Sequence, residues 1–245
     1  MKGIILAGGY ATRLLPLTEN TPKHLLPIGG KPMLDYLMAR LAKLDIDTFY
    51  LVTNDKFARH FEEWAEQSRW SDRLVIVNDG TRSNEDRLGA IGDMLFPIDK
   101  FGIDDDLFII GADVICDFDF NRMYLRYKET EAPVLGVFDV GDPEQIRQLG
   151  EVVLDDEGKV ASFREKPDVP QTTLASTLFY MLPRSAVPVM RQCMAEGRGD
   201  NAGWLIQALA EQREVYGVVY DGYWIDIGTM HTYELAQRKF SDDAQ

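Results

Sequence analysis

Short apolar runs alternate with segments of helical period through residues 1–140, and that alternation restricts the chain to an α/β architecture. Lys2–Ala7 reads as a buried first strand and Gly8–Gly30 as a long loop without lasting period. Lys31–Leu44 reads as a helix, with Pro32 in its first turn and Met33, Leu34, Leu37, Met38, Leu41 and Leu44 on one face. Strands are expected at Thr48–Thr53, Leu74–Val77, Leu107–Ile110 and Ala132–Val140. Helices are expected between them at Lys56–Gln67, Glu85–Phe96 and Asp119–Lys128. The fold class is therefore a Rossmann-like, mostly parallel sheet flanked by helices.

Beyond Gly141 the strands become shorter: Gly150–Leu154, Val160–Arg164 and Thr173–Met181. Helices at Pro183–Glu196 and Ala202–Gln212, a strand at Val215–Tyr220 and a helix near His231–Phe240 complete the reading, with Ser241–Gln245 expected to fray. No repeat and no Pro/Ser-rich linker interrupts the chain. One domain over 1–240 is expected, with a first part at about 1–140 and a smaller, β-rich part at about 141–240.

Charge narrows the ligands. The net charge is −14, which argues against nucleic acid as a partner. Residues 1–43 nevertheless carry a net +4 (Lys2, Arg13, Lys23, Lys31, Arg40 and Lys43 against Glu19 and Asp35), leaving −18 for the remainder. A locally basic, glycine-rich N-terminal stretch on an acidic body suits a small polyanion such as a triphosphate. The apolar start is too brief for a secretory leader, and no run reaches the ~20 residues of a membrane span. Cys116 and Cys193 match no metal or redox spacing. A cytoplasmic protein is the expectation, with no membrane partner.

In Leu6-Ala7-Gly8-Gly9-Tyr10-Ala11-Thr12-Arg13-Leu14 the two glycines permit positive φ and let backbone N–H groups approach phosphate oxygens. Arg13 offers a forked cation, and Thr21-Pro22-Lys23 a second cation at a rigid turn. Taken alone, the stretch also fits a tight strand-to-loop turn with two surface cations. It is neither a dinucleotide fingerprint nor a P-loop, since no helix-opening third glycine and no Gly-Lys-Ser/Thr follows.

Two aspartates stand out. Phe108-Ile109-Ile110-Gly111-Ala112-Asp113 ends a buried strand with a carboxylate, where α/β sheets place ligands. Gly222-Tyr223-Trp224-Ile225-Asp226-Ile227-Gly228-Thr229 holds Asp226 between apolar residues. A pair of hard oxygen ligands suits Mg²⁺. A cap for Asp113 and a loop hydrogen bond for Asp226 are the plainer alternatives; Asp117 and Asp119 look like ordinary caps.

Gly8–Thr18, Pro22-Lys23-His24-Leu25-Leu26-Pro27-Ile28, Lys31-Pro32-Met33 and the Trp224–Thr229 string together closely resemble the sugar-phosphate nucleotidyltransferases. That family includes the glucose-1-phosphate thymidylyltransferases and related NDP-sugar pyrophosphorylases, which share the nucleotide-diphospho-sugar transferase fold. The resemblance implies that backbone around Leu6, Ala7, Gly8, Gly9, Ala11 and Thr12 binds the triphosphate. It implies that Arg13 stabilises the α-phosphate and leaving pyrophosphate, that Lys23 contacts the reacting phosphates, and that Asp113 and Asp226 hold Mg²⁺. In Phe163-Arg164-Glu165-Lys166-Pro167 it assigns Lys166 to the acceptor phosphate and Glu165 to the sugar, with Gly150 and Thr177 beside that sugar. Arg82 and Arg87 fall in the base-reading loop. Ala11, Ala112 and Thr177 depart from the family's usual glycines. Asp200-Asn201-Ala202-Gly203-Trp204 resembles a variant pocket-closing helix start, or a helix with Asp200 as its N-cap.

The chemistry implied is direct displacement at the α-phosphorus by an ionised acceptor phosphate, so no general base is needed. His24, His60 and His231 are then structural or surface residues. The partners are a nucleoside triphosphate and a phosphorylated sugar, and a homo-oligomer is one option. Two competing readings are the same chemistry on phosphocholine, with a cage drawn from Tyr10, Phe179, Tyr180, Trp204, Tyr223 and Trp224, and a catalytically silent nucleotide-sensing subunit.

Overall fold

A computed structural model describes residues 1–242, with side chains described through Phe240. In chain order, β1 (Lys2–Leu6) leads into the glycine-rich loop, which is folded by 3-10 turns at Thr12–Leu14 and Lys23–Leu25 and closes on β2 (Pro27–Ile28) and β3 (Lys31–Pro32). There follow α1 (Met33–Leu41), β4 (Phe49–Thr53), α2 (Ala58–Gln67), β5 (Leu74–Asn78), α3 (Ala90–Phe101), β6 (Leu107–Gly111), β7 (Val114–Cys116) and α4 (Asn121–Thr130). The second half holds β8 (Val134–Asp139), α5 (Pro143–Ile146), β9 (Gly150–Leu154), β10 (Val160–Glu165), β11 (Leu174–Leu182) and α6 (Val187–Ala195). It ends with α7 (Gly203–Gln212), β12 (Tyr216–Tyr220), β13 (Trp224–Asp226) and α8 (Met230–Asp242). Of the tail expected to fray, Ser241 and Asp242 continue α8, and 243–245 lie outside the described residues.

This is the mostly parallel α/β sheet flanked by helices that the alternation predicts. In the main sheet the exceptions to parallel pairing are β11, antiparallel to β6, β8 and β9, and the β9–β10 hairpin; β2–β3 and β7–β13 form separate antiparallel pairs. No described helix is long and apolar enough to cross a membrane.

The chain divides into two compact units. The first comprises Met1–Ile4, Leu88–Ile110 and Asp119–Asp221. Here β11 is central, bonded to β6, β8 and β9, and β12 runs parallel to β8. Phe108, Phe120 and Phe179 meet edge to face at centroid distances of 5.4 and 4.8 Å, an arrangement the ring quadrupoles favour. The second unit comprises Ile5–Arg87, Gly111–Phe118 and the stretch from Gly222 on. In it β4 and β5 pair in parallel, and Leu14, Leu26, Ile28, Met33, Ile115, Ile227 and Ala236 form a buried cluster. Each large aliphatic chain fully buried there contributes about 1.5–3 kcal/mol.

Three helices depart from their expected spans; α6 begins at Val187 instead of Pro183, after a 3-10 turn at Arg184–Ala186. α1 begins at Met33, because Pro32 keeps an extended ψ of 136° at the N-cap. It ends at Leu41, and Arg73 donates to the carbonyls of Ala42, Leu44 and Ile46 beyond its end. α3 begins at Ala90 instead of Glu85. The Asp86 carboxylate accepts from the backbone N–H groups of Arg82 and Ser83, which holds that stretch in a turn, and Gly89 has φ 78°. At its other end α3 runs past the expected Phe96 to Phe101, with Pro97 inside it, where burial of Ile91, Met94, Leu95 and Ile98 carries the helix past the proline. The three-residue strands β7 and β13 had no periodic signal.

Candidate active site

In the second unit, Ala7 and Gly8 are buried, and Gly9, Thr12 and Arg13 are exposed. Asn54 braces the loop: its Nδ2 donates to the Gly8 carbonyl at 2.9 Å, and its Oδ1 accepts from the Phe57 N–H at 3.1 Å. Ala11 adopts φ 48°, ψ 42°, the left-handed conformation that explains why glycine is common there. Buried Thr18 fixes that conformation by donating to the Ala11 carbonyl at 2.8 Å.

Antiparallel pairing of β7 with β13 sets Asp226 opposite Val114, and the Ile227 N–H donates to the Asp113 carbonyl at 2.8 Å. Aspartates 113 positions apart in sequence thereby become neighbours. Lys23, on its 3-10 turn, donates from Nζ to Asp113 Oδ2 at 2.8 Å, with side chains 12% and 36% exposed. Gly228 leaves room for the last member: a Cβ there would lie 3.3 Å from both Arg13 Nη2 and Asp226 Oδ1.

The two carboxylates are held differently. Burial works against the charge on Asp113, but the Lys23 ammonium outweighs it and keeps that carboxyl below its usual range. Burial pushes Asp226 up to about 6, and the Asp113 charge adds to this. Lys23 and Arg13 act in the opposite sense. Asp226 Oδ1 is buried with no hydrogen-bond partner. An orphaned anionic oxygen beside a second carboxylate fits a hard cation. No group of three or more His, Cys, Asp or Glu suited to a metal occurs among the described residues, so such a cation would take its remaining ligands from phosphate and water.

The loop bearing Arg82 and Arg87 is less tightly gathered. Arg82 is exposed and pairs with Asp55 at 3.6 Å, and Arg87 donates to Asn84 Oδ1 at 2.9 Å. Asp79 accepts from both the N–H and the hydroxyl of buried Thr81, whose Oγ1 lies 3.4 Å from the Tyr10 hydroxyl.

In the first unit, Glu165 lies opposite Gly150 in the β9–β10 ladder. Burial raises the Glu165 carboxyl above its usual range, with Lys166 opposing. A side chain on Gly203, which opens α7, would overlap that carboxylate. The glycine admits Glu165 to the helix start, and Ala202 stands at the N-cap there in place of Asp200. Lys166 is exposed at φ 46°, and its N–H donates to the Leu149 carbonyl at 3.0 Å. Thr177 is buried, and its hydroxyl donates to the Gly136 carbonyl at 2.9 Å.

Sequence reasoning missed several supports: Asn54, Thr18, Glu151 and Asp117. The last is more than a cap, since its Oδ1 accepts the Tyr223 N–H at 2.9 Å and fixes the entry to β13. A buried acid inside a strand, as in Leu149-Gly150-Glu151-Val152, was the one signal that could have marked Glu151.

The family model described as nucleotidyl transferase matches residues 2–243. The chain belongs to the nucleotidyl transferase family. It is similar to mannose-1-phosphate guanylyltransferase of Mycobacterium tuberculosis, 30% identical over 232 residues, which is 92% of this chain and 60% of that protein. It is similar to the bifunctional protein GlmU of Methanocaldococcus jannaschii, 29% identical over 229 residues, with 93% and 51% covered. This nucleotidyl transferase spans about half to three-fifths of the length of the curated relatives it matches. The crystal structure of apo UDP-glucose pyrophosphorylase shares its fold, with a TM-score of 0.85 and 19% identity over 100% of both chains.

Proposed function

We propose that this chain is a magnesium-dependent nucleotidyltransferase that joins a nucleoside triphosphate to a sugar 1-phosphate and releases pyrophosphate. The carrying observation is the cluster of Asp113 and Asp226, set side by side by the β7–β13 ladder with one buried Asp226 oxygen unpaired, with Lys23 paired to Asp113 and Arg13 approaching at Gly228. Mannose-1-phosphate guanylyltransferase among its relatives supports a sugar 1-phosphate as acceptor.

An oxygen of the acceptor phosphate forms a bond to the α-phosphorus of the triphosphate. The bond from that phosphorus to the β-bridging oxygen breaks, and pyrophosphate leaves with the electron pair. The nucleophile is an anion at neutral pH, so no side chain has to remove a proton. Arg13 supplies paired donors to the α-phosphate and the leaving group as charge moves onto them. Lys23 adds a second cation, oriented by Asp113. Mg²⁺, held by Asp113 and Asp226, would supply the charge that offsets the triphosphate's own. Lys166 receives the acceptor phosphate, and Glu165, Gly150 and Thr177 border its sugar. The loop bearing Arg82 and Arg87 faces the base. Of the rings available for a quaternary-ammonium cage, Phe179 and Tyr180 are buried in the first unit and Tyr223 packs against Phe240.

A panel of the four common ribonucleoside triphosphates and dTTP against glucose, mannose and N-acetylglucosamine 1-phosphates and phosphocholine tests the reading through pyrophosphate release. Metal-dependent turnover with at least one pair is expected. No turnover with any sugar 1-phosphate, alongside turnover with phosphocholine, would overturn it.

A further inference from the structure

Glu151 is fully buried within β9, where a strand ordinarily carries an apolar side chain. A carboxylate persists there only if its charge and lone pairs are met. Its cross-strand partner Arg164 donates Nε at 2.8 Å and Nη2 at 2.5 Å to Oε2. Oε1 accepts the backbone N–H groups of Gln171 and Thr172, the latter at 3.0 Å. Arg164 Nη2 also donates to the Val169 carbonyl at 3.1 Å.

These contacts converge on one segment. The turn after β10 begins with Lys166 and returns to β11 through Thr172, and the Glu151–Arg164 pair grips its backbone at Val169, Gln171 and Thr172. At the near end, the Lys166 N–H is tied to Leu149, two residues before Glu151 in the chain. Lys166 sits at φ 46°, a conformation that a side-chain-bearing residue keeps only when its surroundings enforce it. The carboxylate is buried while the Arg164 side chain is 37% exposed, and burying a charge in this way is seldom the most stabilising filling for a strand position, where an apolar side chain often does as well or better. What the pair supplies here is a fixed path for the backbone that carries Lys166.

We propose that Glu151, acting through Arg164 and the amides of Gln171 and Thr172, is a positioning residue that holds Lys166 in place for the acceptor phosphate. This rests on the acceptor role assigned to Lys166 above.

The test is steady-state kinetics on the full chain with the best triphosphate and sugar 1-phosphate pair from the panel. Glu151→Ala should raise the acceptor KM about tenfold, as misplacement of a positioning group does, and leave the triphosphate KM within about twofold. Glu151→Gln keeps an oxygen for the two amides and should recover part of the loss. In the Lys166→Ala background, Glu151→Ala should add nothing, because the two residues act through one contact. Equal increases in both KM values, or additive effects in the double variant, would mark Glu151 as merely structural. If Lys166→Ala raises the acceptor KM and Glu151→Ala does not, the positioning role fails alone. If Lys166→Ala leaves the acceptor KM unchanged, the acceptor reading fails first and takes this inference with it. Should Glu151→Ala not fold, Arg164→Lys, which keeps the positive charge but gives up the forked contact, is judged by the same split between the two KM values.

Discussion

Asp226 lies opposite Val114 in the β7–β13 ladder, and this register brings its carboxylate beside that of Asp113. The two acids should respond alike in activity and oppositely in stability. Asp113→Asn and Asp226→Asn are each expected to nearly abolish turnover while the fold survives. Asp113→Asn also breaks the ion pair with Lys23 and should lower the Tm. Asp226 has a raised carboxyl and an unpaired buried oxygen, so its charge opposes folding increasingly as pH rises from 3.8 to about 6. Asp226→Asn should therefore raise metal-free stability at pH 7, on the order of 1 kcal/mol. Urea unfolding beside turnover decides this; activity near wild type at limiting Mg²⁺ in either variant would refute the two-aspartate site.

Arg13 is assigned to charge that grows as the α-phosphate bond breaks, so it should act on kcat more than on binding. Arg13→Ala is expected to lower kcat by about 10²–10³, the usual cost of one preorganised donor. Arg13→Lys should recover only part, since a point charge lacks the fork. Gly228→Ala probes the same group without removing it, because the new methyl would crowd Arg13 Nη2 and Asp226 Oδ1 together. It should reduce kcat with little change in Tm. Unchanged kcat in Arg13→Ala, with weaker nucleotide binding by calorimetry, would make Arg13 a simple anchor.

His24 carries a pH signature of its own. It is buried against Phe61, and burial, helped by Lys23, pushes its imidazole down to about 3, with Asp113 opposing. The fold keeps it neutral and the unfolded chain does not. Its contribution is therefore whole above pH 6.5, falls as pH drops below that value, and is exhausted near 3. Between pH 6.5 and 5 the loss is on the order of 1–2 kcal/mol. His24→Phe should flatten that part of the stability profile. A profile unchanged by the substitution would show that another group causes the acid sensitivity.

Ala11 tests loop strain. Its left-handed backbone costs a side-chain-bearing residue roughly 1–2 kcal/mol, partly offset by the lower freedom of alanine in the unfolded chain. Ala11→Gly should raise stability by about 0.5–1 kcal/mol. A fall in Tm would mean that the methyl's packing outweighs the strain.

Much of the candidate site is written along the chain. The strand-loop junction at Leu6–Gly9, the Arg13 and Lys23 cations and the helical period of α1 are local features, since phosphate-binding backbone and amphipathic faces depend on residues a few positions apart. The late start of α3 has a local reason of another kind: the Asp86 carboxylate reaches back to the N–H groups of Arg82 and Ser83 and holds residues 82–86 in a turn, and helical period does not register such a side-chain-to-backbone bond.

By itself the sequence determined the α/β class and the residue types able to manage phosphate and metal charge, because periodicity and short motifs are properties of adjacent residues. Tertiary structure alone decided which of them meet. The β7–β13 register set Asp226 beside Asp113, Lys23 came to one of those carboxylates, and Gly228 left the gap that Arg13 approaches. It also gave buried Glu151 its partners from a neighbouring strand and the turn beyond it. Those pairings depend on strand register and burial, which arise only when segments far apart in the chain share hydrogen bonds and exclude water.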